Sequence, residues 1–213
     1  INPDARIRYC QVWNRAYWMN GEAKGYVEDR TAYPWEGEDY VGPTTQKTFS
    51  DPPIGHLLAV WNGRMFVAQD NLLWFSQPFA YAWFDLARNF ILFPSRIRMI
   101  APVRNGLYIS TETETAFLDG DEAKTLGYRK VSDNAAVEGT EVRIPGYQIA
   151  GGQLPLEIAQ VWTSKAGACI GWPDGMFNIL THDERGRNRL ALPDVRFGTA
   201  FLRGNHYIAT LEP

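Results

Sequence analysis

The residues able to do chemistry in this chain are few and scattered: histidines at 56, 182 and 206, and cysteines at 10 and 169. No two histidines stand at a helical metal-ligand spacing such as H-E-x-x-H, so a metal site would need all three to converge through the fold. His56 follows Pro52-Pro53-Ile54-Gly55 at the entry to a strand, where its ring can cap a turn or bond a neighbouring blade. His182 precedes Asp183-Glu184 in a polar turn, and His206 lies in a hairpin beside Asn205. Both cysteines sit in apolar stretches and read as buried free thiols, with a disulfide between them as the alternative in an oxidising compartment. The nucleophile elbow G-x-S-x-G and the two glycine-rich phosphate loops are absent. Asp119-Gly120-Asp121-Glu122 offers carboxylate oxygens to a calcium ion but lacks the twelve-residue ligand loop, and reads as a solvated turn. We expect no cofactor, no metal and no enzymatic activity.

Paired carboxylates for glycoside hydrolysis meet through the fold, so a glycosidase stays open as a minor reading. Aromatics outside the regular strand pattern carry the binding reading. Tyr33-Pro34-Trp35, the run from Phe79 to Phe84 that contains Trp83, and Trp172-Pro173 all fall in expected loops. There they can stack on a sugar or anchor a protein, or tuck between sheets. Neighbouring proline and glycine hold Trp35 and Trp172 near the surface, and we take Tyr33, Trp35, Trp83 and Trp172 as candidate partner contacts.

These residues must be positioned by a repeated hairpin. An apolar stretch, a tight polar turn and a second apolar or aromatic stretch recur at Tyr9 to Trp18, Leu57 to Val67, Met99 to Ile109, Ile158 to Ile170 and Thr199 to Ala209. Asn62-Gly63 marks the second, the dipeptide that best tolerates positive φ at both positions of a two-residue hairpin. Further turns at Asp70-Asn71, Glu112 to Glu114 and Trp172 to Gly175 extend these hairpins into meanders. The turn glycines 63, 106, 167 and 204 lie 43, 61 and 37 residues apart, near the ~40–50 residues of a four-stranded propeller blade. The spacing predicts an all-β, β-propeller-like fold of about five antiparallel meander blades, a single domain over residues 1–213 or part of a larger ring. A sandwich or solenoid is the rival. The segment from Asp29 to Pro53 reads as a linker with one short strand near Thr45–Phe49. Residues 131–155 read as an insertion loop, and Tyr81 to Phe90 as one helical turn or an irregular excursion.

Composition excludes several classes. A formal net charge of -3 leaves no global basic field for nucleic acid, and Arg185, Arg187 and Arg189 stand beside acids in a turn. No apolar run reaches the ~18–20 residues of a membrane span, and no signal-peptide pattern opens the sequence. The 14% aromatic content suits pleated strands, whose cross-strand neighbours large flat side chains cover.

The run Pro53-Ile54-Gly55-His56-Leu57-Leu58-Ala59-Val60-Trp61-Asn62-Gly63-Arg64-Met65-Phe66-Val67-Ala68 resembles propeller-like structural proteins of tailed bacteriophages and prophages. Leu73-Trp74-Phe75-Ser76-Gln77-Pro78, Asn89-Phe90-Ile91-Leu92-Phe93-Pro94 and Ala101-Pro102-Val103-Arg104-Asn105-Gly106-Leu107-Tyr108-Ile109 continue the likeness, which spans Arg8 to Thr210. It implies a virion component of the tail or neck, made in the host bacterial cytoplasm. Such a component binds other virion proteins in multiple copies around a symmetry axis and has no enzymatic role. The alternative is a carbohydrate- or receptor-binding propeller whose ligand is a host surface glycan.

Overall fold

The computed structural model describes residues 5–41, 46–47, 49–145, 148, 157–182, 192, 195–204 and 206–212. It is all-β and propeller-like, built from successive four-stranded antiparallel meanders. Two compact units divide it, Ile1–Ile97 and Arg98–Pro213.

The first unit opens with β1 (Arg8–Val12), β2 (Arg15–Met19), β3 (Lys24–Glu28) and β4 (Thr31–Pro34), hydrogen-bonded in chain order. Asp29 and Arg30 both take left-handed φ, at 48° and 67°, and so close the β3–β4 hairpin in two residues. Thr31–Pro34 is therefore the fourth strand of a blade, where the sequence reading placed the start of a linker. Further on, β5 (Tyr40–Val41) pairs β6 (Gln46–Lys47); β6 falls within the short strand expected near Thr45–Phe49, whereas β5 lies outside it.

The second meander comprises β7 (Leu57–Trp61), β8 (Arg64–Gln69), β9 (Leu72–Gln77) and β10 (Ala80–Phe84), with β11 (Phe90–Leu92) also pairing β9. Asn62 and Gly63 have φ of 45° and 70°, as the Asn-Gly hairpin requires. The stretch Tyr81–Phe90 begins as strand β10 as far as Phe84; Asp85 to Asn89 then make one turn, with Arg88 and Asn89 N–H donating to Asp85 O at 3.1 Å and 2.8 Å, before β11 starts at Phe90. Tyr17, Met19, Trp35, Met65, Val67, Tyr81 and Phe84 form the core of this unit.

In the second unit β12 (Ile97–Val103), β13 (Gly106–Thr111), β14 (Thr115–Asp119) and β15 (Gly127–Ser132) form the third meander. Its first turn is Arg104-Asn105, and Gly106 already begins β13. The glycine is needed for room, not for its φ: a Cβ there would lie 2.2 Å from Leu118 O. The fourth meander is β16 (Val142–Pro145), β17 (Ile158–Ser164), β18 (Gly167–Gly171) and β19 (Phe177–Ile179). Its edge strand β16 thus lies inside the stretch read as an insertion loop; residues 146–147 and 149–156 lie outside the described residues.

A two-stranded hairpin, β20 (Phe197–Arg203) with β21 (His206–Glu212), is the fifth repeat. Tyr207 ties it to the fourth meander, its hydroxyl donating to Thr140 O at 2.7 Å and lying 2.9 Å from Thr163 Oγ1. Two further buried polar side chains of the unit are similarly matched. Gln160 Nε2 donates to Pro102 O at 2.6 Å, and Tyr108 Oη sits 2.9 Å and 2.8 Å from the carbonyls of Trp172 and Met176. Cys10 and Cys169 are free thiols, the second buried.

Candidate functional site

Among the described residues, six non-glycine ones take positive φ, and two of them are bulky aromatics: Trp13 at 52° and Phe79 at 56°. The left-handed region brings Cβ against the following carbonyl, a cost of about 1–2 kcal/mol that Gly, Asn and Asp largely escape. Both residues occupy two-residue turns, Trp13-Asn14 between β1 and β2 and Pro78-Phe79 between β9 and β10. Neither recovers that cost by burial, since Trp13 is 73% exposed and Phe79 68% exposed. A large apolar side chain kept in water at a strained turn is a poor solution for folding, and it points to a role outside the fold.

The two turns converge. Trp13, Phe79, Tyr81 and Trp83 line one cleft of about 390 Å³, together with Asn14, Arg15, Glu28 and Glu38. Trp13 meets Tyr81 edge-on, with ring centroids 5.7 Å apart and planes at 69°, which makes an aromatic corner. Phe79 is held by its own backbone, whose N–H donates to Gly63 O at 2.6 Å, and its ring lies over Gly63. A Cβ at position 63 would come within 2.7 Å of that ring, so this turn accepts only glycine while Phe79 keeps its place. Trp83 stacks on Phe49 at 5.1 Å with planes 7° apart, which covers one of its faces.

The polar side of the cleft is equally fixed. Glu28 accepts from Asn14 Nδ2 at 2.5 Å through one oxygen and from Arg15 Nε at 3.0 Å through the other. The Arg15 guanidinium also lies 4.9 Å from the Tyr26 ring centroid. Tyr17, and after it Glu28, raise its pKa above an already high ordinary value against the opposing effect of burial, so it is always charged. Burial raises the Tyr17 phenol. With one guanidinium against two carboxylates, the ionisable lining is net negative.

Of the four aromatics expected to meet a partner, only Trp83 lines this cleft. Trp35 is corrected outright. It is 2% exposed, packed edge-on against Tyr17 at 5.1 Å, and its Nε1 donates to Tyr81 O at 3.1 Å. The proline and glycine around it turn the chain so that the indole folds under the first blade. Tyr33 is 42% exposed and stacks on Tyr26 at 5.2 Å, away from the cleft lining. Trp172 is half-buried in the second unit, packed against the core of the fourth meander.

Asp119 ends β14, and the acids after it occupy a turn closed by Thr125 N–H donating to Glu122 O. Among the described residues no group of three histidines, cysteines or acids is placed to hold a metal. Arg185, Arg187 and Arg189 lie outside the described residues.

Phe79 and Tyr81 lie in the Phe79–Phe84 run already singled out from the sequence, whereas Trp13 escaped that reading, although a signal was present. Trp13-Asn14 fills the hairpin slot that Asn62-Gly63 fills one repeat later, and an aromatic where asparagine is cheap is an anomaly. Trp13→Asn is therefore expected to change unfolding free energy by less than about 1 kcal/mol, because relief of the left-handed cost offsets the lost contact with Tyr81. Urea denaturation checks this, and a loss of several kcal/mol would make the indole a core group. No family model matches this chain, and no curated protein matches it.

Proposed function

We propose that the chain is a non-catalytic structural module of a tailed-phage particle, placed in the tail or neck in several copies and acting by binding other virion proteins. The observation that carries this reading is the pair of exposed aromatics, Trp13 and Phe79, held at strained turns of stiff hydrogen-bonded meanders. Rigid sheets lose little further entropy when such groups dock, and symmetric copies multiply weak contacts into firm attachment. The sequence likeness to propeller-like virion proteins supports the phage assignment. Support for a non-catalytic role comes from Glu28, both of whose oxygens are engaged by Asn14 and Arg15 rather than left open to a substrate. Immunogold electron microscopy of particles from the encoding host, labelled with antibody to this chain, tests the assignment. Label repeated at the tail or neck is the expected result. A protein that stays monomeric in the lysate, with no labelled particle, overturns it.

A further inference from the structure

We infer that the cleft of the first unit is a binding site for a neutral saccharide, a ligand the assembly role does not require. Its walls are of two kinds that only a few ligand classes satisfy together. Trp13 and Tyr81 form an apolar corner, with Phe79 beside them at the mouth. Asn14, Arg15, Glu28 and Glu38 supply amide, guanidinium and carboxylate groups on the same cleft. A pyranose matches this division: one face presents C–H groups to an aromatic ring, while its rim of hydroxyls both donates and accepts hydrogen bonds.

Charge narrows the class further. An acidic sugar or a phosphate would meet two carboxylates against one guanidinium, and a quaternary ammonium would find Glu28 already paired with Arg15. A neutral polyol escapes both penalties. The polar groups are also set before any ligand arrives, because Glu28 is gripped by Asn14 and Arg15, and the Arg15 guanidinium lies over Tyr26. Little ordering entropy is then lost on binding. A cleft of about 390 Å³ falls in the range of small-ligand sites, ~300–1,000 Å³.

The experiment is a printed array of neutral glycans bearing hexose, N-acetylhexosamine and deoxyhexose termini, alongside sialylated and sulfated glycans, phosphocholine and proline-rich peptides. The strongest hit is then titrated by calorimetry. The expected result is a neutral glycan bound by the full chain, at least tenfold more weakly by Trp13→Asn and by Phe79→Asn, with Met176→Ala on the second unit unchanged. Both asparagine substitutions keep a residue suited to left-handed φ, and either alone suffices if the other variant misfolds. No glycan bound at millimolar concentration overturns the site. So does binding confined to the acidic glycans, the ammonium or the peptides, and so does a neutral glycan that survives both substitutions. Because no particle is involved, this result and the immunogold result fail separately.

Discussion

Trp162→Ala is expected to lower unfolding free energy by about 3–5 kcal/mol, enough to leave the second unit marginal at room temperature. Trp162 is fully buried on β17, with Cys169 of β18 directly opposite it. Its indole packs 5.3 Å from the Tyr108 ring of the third meander and 5.8 Å from Phe177 of the fourth. It is therefore shared by two sheets, and the cavity left by alanine cannot close without moving both. Tyr108 has little freedom to follow the void, since its hydroxyl is held by the carbonyls of Trp172 and Met176 and its ring fills the space that Gly171 leaves open. Burial pushes the Tyr108 phenol well above its ordinary range, so the ring enters this core neutral and with its proton. Denaturation in guanidinium, followed by circular dichroism, reads the effect as a lower midpoint. Trp172→Ala, at a half-buried position, serves as the milder comparison. A change below about 1 kcal/mol for Trp162→Ala would mean that the two sheets do not share a packed core.

The hairpins were legible because their chemistry is local. Asn62-Gly63 takes positive φ at both positions, and apolar runs on either side of a polar pair can only pair antiparallel. The fourth strands were harder to read. Thr31–Pro34 is short and ends in proline next to a glycine-rich stretch, and it is a strand only because β3 offers it an edge. Val142–Pro145 is likewise a strand because β17 pairs with it across residues that local pattern cannot span. Edge strands take their structure from a neighbour, so composition alone assigns them to loops.

The same division applies to the site. Trp83 lies in an aromatic cluster visible in the sequence, whereas Trp13 becomes significant only once its φ and exposure are known. Trp35 failed for the opposite reason. Neighbouring proline and glycine predict a surface backbone, but they do not say which way an indole turns, and burying it against Tyr17 and Phe84 gains more than exposure.

Acidification is expected to weaken the fold through His56. Its ring is largely buried, with Nε2 2.7 Å from Ile97 O, and that burial is the main cause holding its pKa down at about 4. The bond to the Ile97 carbonyl opposes the shift; beyond it, Arg96 and Arg8 push in the same direction as burial while Asp70 pulls against it. In the unfolded chain the imidazole returns to about 6.5. Above that pH both states are neutral and the fold keeps its full stability. As pH falls from 6.5 towards 4, the unfolded chain takes up a proton that the native ring refuses, and stability drops by about 1.4 kcal/mol per pH unit. The whole window amounts to about 3 kcal/mol, and below pH 4 the native ring is protonated as well and the loss levels off. Glu114 acts elsewhere. Tyr128, and after it Lys130, hold its carboxyl below the ordinary value, so its share is lost only as pH falls below the usual carboxylate range. Subtracting the profile of His56→Gln from that of the wild type therefore isolates the imidazole, because glutamine can still donate to Ile97 O but cannot titrate. Urea midpoints measured at half-unit steps from pH 7.5 to 4 should converge for the two proteins as the pH falls, with the wild type losing the stability that the variant does not. Parallel profiles across that window would mean that the His56 ring takes its proton in the native state as readily as in water.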